Sequence, residues 1–112
     1  KPIAHLTPIQ FMIADMEIRY EASRALAYKV ARLIDTGVKD SALASASKTM
    51  SSDSFVKCTE DAVQIFGGNG YSKEYPIEIM YRNAKISQLF EGTNQVQRMV
   101  IVKSLLKASG MM

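Results

Sequence analysis

The sequence has one cysteine, one histidine, no tryptophan and three prolines among its 112 residues. A single cysteine forms no internal disulfide, so a secreted scaffold held together by bridges is excluded. With one histidine and one cysteine, a zinc site would depend on carboxylates, and none stand at ligand spacing. No apolar run nears the roughly 18 residues needed to cross a bilayer. The first residues carry no basic stretch followed by an apolar one, so neither a membrane span nor a secretory signal is expected. A dense basic cluster is missing too. The net charge of +3 comes from 14 Lys and Arg against 11 Asp and Glu, and Arg19, Arg24, Lys29, Arg32, Lys39, Lys48 and Lys57 are scattered. Strong phosphate-backbone binding favours clustered cations interleaved with aromatics, so no nucleic-acid partner is expected. A mildly positive surface suits an anionic small ligand equally well.

The chain is 47% hydrophobic, ordinary for a globular domain, and its length allows one small core. Strand-like alternation, repeats and low-complexity tracts are absent. Helical spacing is abundant. Ile9, Met12, Ile13, Met16, Tyr20, Ser23, Ala27, Val30 and Ile34 step by threes and fours. That predicts a long first helix, with Thr7 as N-cap, Pro8 at its first position and Gly37 ending it. Leu43, Ala46, Met50, Val56, Ala62 and Ile65 mark a second helix from near Asp40 to Phe66. It is read as continuous through Ser51-Ser52-Asp53-Ser54, because no Gly or Pro breaks it. Small residues in its first half (Ala42, Ala44, Ser45, Ala46, Ser47) allow a neighbouring helix to approach closely. Gly67-Gly68-Asn69-Gly70 is a break. A third helix opens at Tyr75-Pro76 and carries Ile79 to Phe90, and Glu91-Gly92 stops it. Thr93 caps a last helix reaching about Ala108, and Ser109 to Met112 fray.

These elements predict an all-α fold, an up-down helical bundle. The stub Lys1 to Leu6 is expected to be non-helical. Three or so helices of this length expose wide apolar stripes, so the bundle is read as an incomplete four-helix bundle. Its missing helix would come from earlier in a longer chain or from another subunit.

Few side chains have the surroundings that catalysis needs. His5 sits on the stub beside no partner, and Cys58 falls within the helical pattern as a small buried residue. The glycine segment says more. Glycines at a helix end permit positive φ and expose N–H groups that cradle phosphate, yet they also serve as a plain cap and turn. No strand precedes the segment and no Gly-Lys-Ser/Thr follows it, so it matches neither common nucleotide-binding fingerprint. Glu91, at the junction after Leu89-Phe90, has two readings as well. In an apolar pocket its charged form would be disfavoured, raising its pKa toward that of a useful general base; otherwise it is an exposed loop glutamate.

Taken together, four segments in order resemble the acyl-CoA dehydrogenase family: Ala62-Val63-Gln64-Ile65-Phe66-Gly67-Gly68-Asn69-Gly70-Tyr71, Glu74-Tyr75-Pro76, Arg82-Asn83-Ala84-Lys85-Ile86, and Phe90-Glu91-Gly92-Thr93-Asn94-Gln95-Val96-Gln97-Arg98. The opening Lys1-Pro2-Ile3-Ala4, Ile9-Gln10-Phe11-Met12 and Ala14-Asp15-Met16 is similar too, so the resemblance spans nearly the whole chain. It departs at Asn83, where the family usually has Asp. The resemblance implies that residues 1–112 are part of the C-terminal helical domain of an FAD-dependent enzyme, lacking the first bundle helix. Such an enzyme oxidises acyl-CoA to the trans-2-enoyl-CoA and passes electrons to electron-transfer flavoprotein. On this basis Glu91 would be the base that removes the α-proton, and its backbone N–H would help to bind the thioester oxygen. Gly92 would contact substrate. Thr93 and Gln95 match positions touching FAD, and Gln64 through Gly68 (Gly67 and Gly68 included) match the loop holding the ADP half of FAD across a subunit interface. A glutamate at position 91 argues against those members that carry their base on an earlier helix. The resemblance further implies a homo-oligomer, located in the cytoplasm of a bacterium or the mitochondrial matrix of a eukaryote. The isolated segment is expected to be inactive. A non-catalytic helical interaction module is the competing expectation, favoured by an exposed Glu91 together with a bundle closed without a further helix.

Overall fold

The computed structural model describes residues 1–112 and is helical throughout, with no strand. Five α-helices follow a short 3-10 turn, Ile3–His5: α1 (Thr7–Asp35), α2 (Ser41–Phe66), α3 (Gly68–Tyr71), α4 (Ile77–Ser87) and α5 (Asn94–Ala108). The all-α expectation holds, and α2 runs unbroken through its serine-rich middle. Several boundaries differ from the sequence reading. The stub contains a helical turn. Thr7 is the first residue of α1 rather than its cap, since Leu6 occupies the extended cap position and no side chain caps the helix. The glycine segment is not only a break, because Gly68 begins one extra helical turn. α4 ends at Ser87, leaving Leu89 and Phe90 in the following turn. Two caps are as the side-chain chemistry demands. The Asp40 carboxylate accepts from the Leu43 N–H at 2.8 Å, and Thr93 Oγ1 accepts from the Val96 N–H at 3.3 Å, each satisfying an otherwise orphaned donor.

α2 is the hub. α1, α4 and α5 each pack on it and make no contact with one another. The faces they would turn to a shared core therefore stay open. Only Ile77 and Ala84 are buried hydrophobic residues, whereas Phe11, Ile18, Ile34, Leu105 and many others are exposed. The radius of gyration is 17.2 Å, against about 13 Å for a compact chain of this length. The accessible surface is 8086 Å², against roughly 6,100 Å² for a compact protein of this mass. About 2,000 Å² of surface in excess of a closed fold thus remains uncovered.

What α2 does bury is polar. Ser45, Thr49, Ser52 and Thr59 recur along one face and are buried, so small side chains do sit where neighbours approach. Ser52 and Thr59 bond back to carbonyls of their own helix, Ser52 to Lys48 O at 2.6 Å and Thr59 to Phe55 O at 2.8 Å. This removes the penalty of burying a hydroxyl without a partner.

Candidate functional site

The reversal between α4 and α5 is short and fully determined. After Ser87 the chain bends through Gln88–Thr93, and the Asn94 N–H returns to the Gln88 carbonyl at 3.0 Å, closing the turn. Making that bend takes two residues with positive φ, Glu91 at 55° and Gly92 at 88°. Glu91 is the one non-glycine residue of the chain in this region, where an L side chain costs about 1–2 kcal/mol. Such strain persists only where the surroundings over-determine it, and it concentrates at functional sites.

The surroundings here are specific. Gln97, one turn into α5, donates from Nε2 to the Glu91 carbonyl at 2.9 Å and to the Gly92 carbonyl at 3.3 Å. Lys48 reaches across from α2 and donates to the Gly92 carbonyl at 3.0 Å and to Asn94 Oδ1 at 2.6 Å. Asn94 is only 2% exposed. Its amide nitrogen donates to Ser52 Oγ at 2.8 Å and Asp53 Oδ1 at 2.7 Å. Asp53 also accepts from Gln88 Nε2 at 3.0 Å and from Arg98 at 2.8 Å. Burial works against the Asp53 charge, but the hydrogen bonds from Arg98, Asn94 and Gln88 outweigh it and hold the carboxyl below the usual carboxylate range.

Within this frame the Glu91 side chain is left free. It is exposed, and no cation of the chain pairs with its carboxylate. The N–H groups of Glu91, Gly92 and Thr93 find no acceptor within the chain, so three successive donors beside the carboxylate are unused. A recess of about 230 Å³ lined by Lys48, Phe55, Phe90 and serines 51, 52 and 87 lies next to the turn. The apolar pocket considered from sequence is not formed by these residues alone. An exposed Glu91 is half of what an interaction module predicts; the other half, a bundle closed by itself, is absent.

The glycine segment lies elsewhere. The helix rises 1.5 Å per residue, so Gln64 stands about 18 Å along α2 from Ser52, where the turn is anchored. Gln64, Gly67 and Gly68 are therefore not brought together with Thr93 and Gln95 within one chain. Thr93 caps α5, and Gln95 is exposed on its first turn, lining a polar cleft with Asp53, Gln88 and Arg98. The glycines divide by cause. Gly67 ends α2 at φ 60°, ψ −139°, a region essentially reserved for glycine. Gly70 packs so closely on α2 that a Cβ would lie 2.6 Å from the Val63 carbonyl oxygen. Gly68 has neither constraint, since an added Cβ meets nothing within 4 Å. Gln64 is exposed beside this open surface.

Cys58 is half-buried rather than buried. Burial pushes its thiol up, with Asp61 adding to the rise against the pull of Arg19, so it is no thiolate nucleophile at neutral pH. His5 is exposed. The sequence reading missed Lys48, Asp53 and Gln97. Local pattern gives Lys48 and Asp53 no signal, because they act on residues more than forty positions away; Gln97 acts five and six positions away and stands inside the Phe90–Arg98 motif, which could have pointed to it.

Comparison with known proteins adds four findings. The family model for the acyl-CoA dehydrogenase C-terminal domain matches residues 1–106. Cyclohex-1-ene-1-carbonyl-CoA dehydrogenase of Geobacter metallireducens is 53% identical over 107 residues, which are 95% of this chain and 28% of that protein. Among solved structures, butyryl-CoA dehydrogenase from Megasphaera elsdenii superposes with a TM-score of 0.92 at 45% identity, covering 95% of this chain and 28% of that one. A chain from work on the electron-transferring flavoprotein of Acidaminococcus fermentans and flavin-based electron bifurcation gives 0.91 at 48% identity, covering 94% and 28%. The chain thus spans little more than a quarter of the length of these relatives.

Proposed function

Because the chain belongs to the acyl-CoA dehydrogenase family, matching that family's C-terminal domain, we propose that it supplies the catalytic base and part of the cofactor surface of an FAD-dependent acyl-CoA dehydrogenase. Glu91 removes the α-proton of the acyl thioester. Its own N–H donates to the thioester oxygen, where negative charge develops as the α-carbon gives up its proton. Bound FAD supplies the acceptor for the β-hydrogen as hydride. Gly92, with no side chain, leaves the substrate free to approach the carboxylate. The observation that carries this reading is the Glu91 backbone: an unpaired carboxylate on strained backbone, held by Gln97 and Lys48 beside three unused N–H donors.

The residues of this chain fit the cofactor at two separate places. The open surface at Gly68, flanked by Gln64 and Gly67, receives a flat polar group without steric obstruction. Thr93 and Gln95 at the start of α5 would hold the cofactor near the base. Gln64, Gly67 and Gly68 lie about 18 Å away along α2; as the family resemblance implies, they would hold the adenine-nucleotide half for a neighbouring subunit. The roughly 2,000 Å² of excess surface leaves area for further domains and a second subunit to cover. Electrons leave to electron-transfer flavoprotein. The enzyme works where acyl-CoA is metabolised, in bacterial cytoplasm or the mitochondrial matrix. No helix of the chain is long and apolar enough to cross a membrane.

The test is Glu91→Gln in the FAD-loaded enzyme, assayed with butyryl-CoA and cyclohexane-1-carbonyl-CoA. Turnover is expected to vanish with flavin content unchanged, because the amide keeps the shape and cannot accept the proton. Retained turnover would place the base on another residue.

A further inference from the structure

Lys48 is an unusual cation. It stands on α2, has no carboxylate partner, and directs its ammonium at two neutral oxygens, the Gly92 carbonyl at 3.0 Å and Asn94 Oδ1 at 2.6 Å. Charge-assisted bonds of this kind are about twice as strong as neutral ones. Both acceptors flank the strained turn, one directly after Glu91 and the other at the first residue of α5. Asn94 carries the link onward, since its amide is fixed by Ser52 and Asp53 of the same helix α2. The turn that carries Glu91 is therefore held from α2, through the Gly92 carbonyl and Asn94, as well as by Gln97 within α5.

We infer that Lys48 is a positioning residue for the Glu91 base: by gripping the Gly92 carbonyl and Asn94 from α2 it fixes the strained turn that aims the carboxylate. This rests on Glu91 being the base. A carboxylate on a short turn moves with its backbone, and displacement of a reacting group by about 1 Å can lower a rate by a hundredfold. Without the ammonium, water hydrates the Gly92 carbonyl and Asn94 Oδ1 loses its donor, so the turn keeps Gln97 and the remaining bonds of Asn94 but loses its direct grip from α2 on the residue after Glu91.

The experiment uses the FAD-loaded enzyme with Lys48→Met, which keeps the aliphatic stem, and Lys48→Arg, which keeps a cationic donor. With butyryl-CoA, Lys48→Met is expected to lower kcat by about tenfold or more while KM shifts by less than about twofold and flavin content holds. Exchange of the substrate α-proton into D2O, measured with the flavin reduced so that oxidation is blocked, should fall in parallel. Amide exchange at residues 91 to 94 should quicken by about tenfold. Lys48→Arg should recover most of each loss. A merely structural role would lower thermal stability without changing α-proton exchange in the folded fraction. If Lys48→Met does not load FAD, Lys48→Gln carries the same readouts with a neutral donor. Wild-type α-proton exchange and wild-type amide protection in the folded variant would overturn the role of Lys48. Should Glu91→Gln itself leave α-proton exchange intact, it is the base assignment that falls, and the two failures stay distinct.

Discussion

Alanine substitution at three neighbouring glycines should separate packing from ligand binding. At Gly67 the backbone stands at φ 60°, ψ −139°, and forcing a Cβ there costs about 1–3 kcal/mol whatever the space around it. At Gly70 the backbone is ordinary, but the added Cβ would sit 2.6 Å from Val63 O and 2.9 Å from Val63 Cα. Both are backbone atoms that no rotamer change can move, so α3 must lift from α2, an overpacking cost of about 1–3 kcal/mol. A gain of up to about 1 kcal/mol from replacing a helical glycine offsets part of this. At Gly68 there is no positive φ and no atom within 4 Å of the new Cβ. Gly68→Ala should therefore be neutral or stabilising, by up to about 1 kcal/mol through the unfolded state. If glycine stands there because a ligand lies against the backbone, that variant alone should lose FAD affinity while keeping its stability. The assay pairs thermal inactivation with flavin retained after dialysis, read from visible absorbance. Gly68→Ala with wild-type flavin affinity would refute the cofactor role of this surface. Equal destabilisation by all three substitutions would refute the division by cause.

Two further outcomes follow from the same geometry. The Asp53 carboxyl is held below its ordinary range in the folded state, so its ionisation contributes stability that is present above the unfolded-state pKa and is lost as pH falls through the lower folded value. On acidification the docking of α5 on α2 should survive the usual carboxylate range and fail only beneath it, and in Asp53→Asn this acid-dependent component should be missing; amide exchange at Asn94 against pH reads both, and a loosening centred at or above the ordinary aspartate pKa would contradict the assignment. The 112-residue chain prepared alone should self-associate through its open helical faces and show no acyl-CoA oxidation with added FAD; a monodisperse monomer in sedimentation, or turnover by the chain alone, would count against the incomplete-bundle reading.

Helix positions were legible because each rests on a local rule. The three-and-four spacing from Ile9 to Ile34, the Asp40 and Thr93 caps and the absence of a breaker between Ser51 and Ser54 are all short-range facts. They placed four of the helices to within a few residues. The misplaced boundaries are local competitions that the sequence leaves nearly balanced. Leu89 and Phe90 continue the apolar period of α4, yet the chain leaves the helix before them, since the Asn94 N–H must return to the Gln88 carbonyl to close the turn. Gly68 and Gly70 read as breakers, but α2 gives α3 a surface to pack on, and tertiary contact overrides the low helix propensity of glycine. Gly70 is the residue that lets α3 come that close.

The clamp behind the turn was not legible, for a different reason. Lys48 and Asp53 lie in an unremarkable polar stretch of α2, and Arg98 on α5 looks like any surface cation. Their meaning comes from pairings across more than forty residues, which no periodicity encodes. Glu91 was singled out through its neighbours and the family resemblance, but its backbone was not foreseen, because nothing about a glutamate announces positive φ. That mismatch is itself informative. Glycine at 91 would adopt the same φ without the steric penalty, so a chain shaped by stability alone would have it there, as it does next door at Gly92. Placing Glu instead, and then bracing the turn from two helices with Gln97 and Lys48, supports the proposal that the carboxylate is required there. Real chains break local rules mainly where function demands it, and here the broken rule and the candidate base are one residue.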